Sequence, residues 1–92
     1  APAATHSFDT GSAWMSMALQ AQHMGLTAHA MWGFHHDQAA DVLKLPEYFS
    51  TQALIAFGHP APAEALPDPL REREVPSPRK ALSELMFNGA MG

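Results

Sequence analysis

Apolar and polar positions follow two different periods along this chain, and each change of period marks an element. Between Asp9 and Leu26, Trp14, Met17, Ala18, Ala21, Met24 and Gly25 recur at helical spacing on one face. This predicts a helix capped by Asp9 or Thr10 and stopped at Gly25. Thr27 to Gly33 loses that spacing and lies between two stop signals, which predicts a strand or extended turn. His35 to Leu45 reads as a second helix: Asp37 sits in its first turn, where negative charge suits the helix dipole, Ala39, Ala40, Val42 and Leu43 face inward, and Pro46 ends it. Gln52 to Phe57 is an almost continuous apolar run bounded by Gly58 and Pro60, the pattern of a strand buried on both faces. It is expected to be the most interior element.

The composition then changes. Six of the eight prolines fall between Pro60 and Pro78, and each fixes its own φ and disfavours helix in the residue before it, so this stretch is expected to be an extended connector. Its charged patch, Arg71-Glu72-Arg73-Glu74, alternates in sign as a solvated turn does. Lys80 to Phe87, with Leu82, Leu85, Met86 and Phe87, is expected to form one or two helical turns. The chain therefore divides into residues 1–59 and a Pro-rich arm with a short terminal element, residues 60–92. Two helices and two short strands supply too few layers to shield Trp14, Trp32, Phe34, Leu54, Ile55 and Phe57 on all sides. A missing surface, from more chain or from a second subunit, is expected, and the Pro-rich arm is suited to reaching across to another subunit.

Charge and composition narrow the function. The 92 residues carry five Lys plus Arg against nine Asp plus Glu, a formal charge of −4. No basic stripe exists to neutralise a run of phosphates, which argues against nucleic acid. No apolar run approaches the ~18 residues of a membrane span. There is no Cys, hence no disulfide, thiolate zinc site or thiol nucleophile. The opening Ala1-Pro2-Ala3-Ala4 has neither an initiator Met nor a signal-peptide layout, so a processed or truncated start in a cytoplasmic protein is expected.

Most candidate chemistry meets a plainer explanation. His29, His35, His36, Asp37 and His59 are donors of the right type for a metal, but the chain has no His-x-x-x-His pair with a neighbouring general base, so no metal ligand is assigned. His23 reads as a cation near a helix C-terminus. Ser12, Ser16 and Ser50 lie in no nucleophile elbow, and Asp37 and Asp41, one turn apart, resemble an ordinary solvated helix face. Gly33 and Gly58 are isolated and belong to no Walker loop. No catalytic side chain is assigned.

Two features remain. Ala30-Met31-Trp32-Gly33 runs into Phe34 as a stretch of small and flat side chains, where Gly33 would let backbone approach a planar ligand and bond to its edge. A tight strand-to-helix turn packed by Trp32 explains the same residues. Arg79-Lys80 would suit a phosphate monoester, combining a forked guanidinium with an ammonium. A surface pair at a helix start is the alternative.

Taken together, Gly25-Leu26 followed by His29-Ala30-Met31-Trp32-Gly33-Phe34, the run ending Ala56-Phe57-Gly58-His59-Pro60, and Arg71-Glu72-Arg73-Glu74 followed by Pro78-Arg79-Lys80-Ala81-Leu82-Ser83-Glu84 resemble the C-terminal half of the FMN-dependent nitroreductase family, over Phe8 to Gly92. The resemblance implies an α+β fold, a mixed sheet flanked by helices, in an intertwined homodimer with FMN at the subunit interface. It implies that Ala30, Met31, Trp32 and Gly33 line the flavin ring and that Arg79, with Lys80, contacts the FMN phosphate. It further implies reduction of the flavin by NAD(P)H and transfer to nitroaromatics, quinones or related small aromatic acceptors in a ping-pong exchange, the cofactor carrying the chemistry.

The chain also departs from that pattern. The family's N-terminal half, including the Arg-rich segment that grips the flavin phosphate, has no counterpart here. These residues are accordingly expected to be part of a protein roughly twice as long, missing an N-terminal portion and inactive alone. Trp32 replaces a residue that is often small in the family, which would narrow the acceptor pocket or shift the ring, and His35 replaces a common Asp. The competing expectation is a non-catalytic dimerisation or small-ligand-binding module that kept the scaffold without a complete flavin site.

Overall fold

A computed structural model describes residues 3–92, which form two compact units divided between Pro60 and Ala61. The first unit opens with helix α1, His6–His23. It begins before Asp9, and neither Asp9 nor Thr10 caps it. Thr5 is the N-cap residue but makes no side-chain cap bond; its hydroxyl instead donates to the Asp9 carboxylate at 2.9 Å. Thr10, one of the two expected caps, is absorbed into the helix by bonding back to the His6 carbonyl at 2.7 Å, as Ser12 does to the Phe8 carbonyl at 3.1 Å. The helix stops where expected. Gly25 takes φ +75°, and the Leu26 N–H reaches back to the Ala21 carbonyl at 2.8 Å, the six-to-one closure of a Schellman turn. His23 lies in the last turn.

Strand β1, Thr27–Met31, pairs antiparallel with β2, Leu54–Gly58, in a register that sets Ala28 opposite Phe57 and Ala30 opposite Ile55. Between them runs helix α2, His36–Leu43, with Asp37 in its first turn. It ends two residues before Leu45 because Lys44 enters the left-handed region at φ 53°, a conformation that few side chains favour. Of the mixed sheet implied by the family resemblance, the described residues form this one antiparallel pair.

The alternation of the strands sends Ala28, Ala30 and Ile55, which are half-buried, toward one face. Trp14 and Ala18 on α1 are half-buried as well, and Ala21, at 3% exposure, is the one buried residue among those described. β2 is therefore not a strand covered on both sides: Leu54 and Phe57 remain 45% and 49% exposed. Its apolar run implied two covered faces, but the described residues supply one helix on one face. The inward face expected for α2 is also only partly buried. Ala39 and Ala40 are half-buried, whereas Val42 and Leu43 are exposed.

In the second unit the Pro-rich segment is less extended than its composition suggests. A 3-10 turn covers Ala63–Ala65, and helix α3 covers Asp68–Arg73. Pro69 falls in the first turn of α3, where a missing N–H costs no helical bond. Arg71 pairs with Asp68 one turn back. Arg71-Glu72-Arg73 is thus helical rather than a turn. Within the expected terminal element, a 3-10 turn at Leu82–Glu84 forms, with the Ala81 N–H donating to the Glu84 carboxylate at 3.2 Å. Among the described residues no helix is long and apolar enough to cross a membrane.

Candidate functional site

The four residues of the flat-ligand stretch are continuous but do not share a surface. Ala30 lies on the half-buried face toward α1 and contributes, with Trp14 and Ile55, to a cavity of about 310 Å³. Met31 lies on the opposite, open face, and Trp32 and Gly33 follow the end of β1. Trp32 is 71% exposed, and its one aromatic neighbour among the described residues is His36. A Cβ built on Gly33 meets nothing within 4 Å. Glycine is therefore not demanded there by any neighbour in the chain.

The geometry of the bend is set by a residue that sequence spacing alone does not single out. His36, the first residue of α2, lies with its ring 3.9 Å from that of Phe34 in a stacked arrangement and 4.8 Å from Trp32 in a tilted one. Its Nε2 is 3.0 Å from the Trp32 carbonyl and its Nδ1 is 2.6 Å from the Thr51 hydroxyl. A carbonyl can only accept, so Nε2 carries a proton and donates to it, while the Thr51 hydroxyl is the partner of Nδ1. The same Trp32 carbonyl accepts the Phe34 N–H at 2.8 Å. Thr51 is fifteen positions away in the chain, which is why a local pattern could not find the contact; the His35-His36 doublet was its only trace.

A more open apolar groove of about 360 Å³ lies elsewhere, lined by Met17, Ala21, Met24, Leu26 and Phe57 among others. It sits toward the Thr27–Gly58 end of the strand pair, whereas the Trp32 bend leaves the Met31–Leu54 end. Arg79 and Lys80 belong to the second unit, and both are exposed. The Arg79 guanidinium donates to the Ser77 hydroxyl at 2.7 Å, a neutral partner, and makes no ion pair among the described residues.

No protein-family model matches the chain, and no curated protein matches it. Among solved structures it is similar to a crystal structure described as that of an oxidoreductase containing FMN, with 44% sequence identity and a TM-score of 0.93. The match covers 99% of this chain and 46% of that one, so the chain spans about half the length of the oxidoreductase it matches. The described α+β arrangement, with its antiparallel pair and helices, is the fold of that part.

Proposed function

We propose that this chain supplies part of the flavin site of a nitroreductase-type, FMN-dependent NAD(P)H oxidoreductase that works as an intertwined homodimer. The reading is carried by the 44% identity to the FMN-containing oxidoreductase across 99% of the chain. When bound, FMN supplies the two-electron exchange between NAD(P)H and a nitroaromatic, quinone or similar acceptor, by a ping-pong sequence.

The residues present fit such a ring. Among the described residues the Gly33 N–H and C=O pair with no backbone group, and apart from its two chain neighbours no atom lies within 4 Å of where a Gly33 Cβ would stand. Trp32 presents an exposed flat face beside it, which narrows the space left for an acceptor. Arg79 offers a guanidinium fork and Lys80 an ammonium, and charge-assisted bonds of this kind are the strong ones for phosphate oxygens. The chain's own residues therefore bind and orient; none is assigned a proton-transfer role.

Titration of the protein with FMN, followed by flavin fluorescence and the flavin absorption bands, tests the proposal. Binding is expected, and Arg79→Ala is expected to weaken it about tenfold, the loss of one charge-assisted contact. A protein that stays colourless in excess FMN overturns the flavin reading, and an unchanged affinity in Arg79→Ala removes the phosphate role.

A further inference from the structure

We infer that His36 is a positioning residue for the candidate flavin site, acting through the Trp32–Gly33 peptide. This rests on the reading of that bend as a wall of the flavin site. The peptide is planar and trans, so the Trp32 carbonyl and the Gly33 N–H point in opposite directions and turn together. His36 Nε2–H and the Phe34 N–H both hold that carbonyl, at 3.0 and 2.8 Å. Fixing it fixes the aim of the Gly33 N–H, which among the described residues has no backbone partner.

The imidazole is itself held at three points. Thr51 bonds its other nitrogen at 2.6 Å, Phe34 stacks on its face, and Trp32 lies at its side. Thr51 precedes β2 and Trp32 follows β1, so the ring ties the chain leaving one strand to the chain entering the other, beyond the last ladder pair at Met31 and Leu54. Loss of the ring leaves the Trp32 carbonyl held by the Phe34 N–H alone, and the peptide rotates more freely. An amide that must find its direction at the moment of binding binds more weakly than one already aimed.

The test pairs a readout without cofactor and one with it. In the cofactor-free protein, long-range 1H–15N spectra are expected to show His36 as a single Nε2–H tautomer. Amide exchange at Phe34, whose N–H bonds the Trp32 carbonyl, is expected to quicken about fivefold in His36→Ala. FMN affinity is expected to fall about five- to tenfold in His36→Ala and to recover in His36→Gln, whose amide can donate from nearly the Nε2 position. Thr51→Val keeps the shape of the side chain without its hydroxyl and is expected to lose about two- to fivefold, with Thr51→Ser near wild type.

A wild-type ring that averages both tautomers overturns the inference, as does an affinity in His36→Gln no better than in His36→Ala. If the wild-type protein binds no FMN while the tautomer and exchange results hold, the flavin reading fails and the positioning of the bend by His36 stands.

Discussion

A Cβ added to Gly33 meets no atom within 4 Å and its backbone does not lie in the left-handed region, so Gly33→Ala is expected to fold normally. Reduced freedom of the unfolded chain raises stability by about 0.5 kcal/mol in such cases, readable as a higher urea midpoint. FMN affinity is expected to fall in the same variant if the ring edge approaches Gly33 as proposed, and an unchanged affinity places the ring elsewhere. Lys44 is the opposite case. It occupies the left-handed region at φ 53° with a side chain, so Lys44→Gly is expected to stabilise the protein by up to about 1 kcal/mol in the same measurement. Gly25 could be recognised in the sequence as a stop because its residue type announces the conformation. Lys44 could not, since nothing in a lysine predicts a positive φ. His36 escaped for a different reason: its meaning depends on Thr51, and separation along the chain conceals proximity in the fold.

Among the elements, α1 was legible because its apolar spacing and the Gly25 stop agree with each other, and β1 because that spacing is lost between two stop signals. The start of α1 was misplaced because Asp9 and Thr10 can each cap a helix or bond within its first turns, and local sequence does not decide between these uses; here Asp9 accepts from Thr5 and Thr10 bonds back to His6. The apolar run in β2 was misleading in an instructive way, because it records how much of the strand is suited to burial, whereas actual burial depends on which layers are present. α1 packs against the strand pair on one face, and it carries Ala21, the one buried residue among those described. Ala21→Asp places a charge without a partner at this buried position and is expected to cost about 3 kcal/mol or more. Loss of a cooperative thermal transition is the observation to look for; a transition within a degree of wild type would mean that the helix does not depend on this contact.

Taken as a whole, the molecule carries more apolar surface than its own layers cover. Trp32, Val42, Tyr48, Leu82 and Met91 are all more than two-thirds exposed, and a short chain has little core to offset the entropy of ordering it. This is what the proposed homodimer would complete. If a second copy binds the folded state, the thermal midpoint is expected to rise with protein concentration; a midpoint that is constant over a hundredfold dilution range opposes the dimer.

The β1–β2 pair has a further consequence, which concerns time more than equilibrium. Each strand has one neighbour, so among the described residues each keeps an outer rim of unpaired main-chain groups, and such rims recruit strands from other molecules. During synthesis, the interval between completion of β2 and arrival of its covering surface is a window for misassembly. Slower production at lower temperature is accordingly expected to increase the recovered soluble fraction, even with the folded protein's stability unchanged.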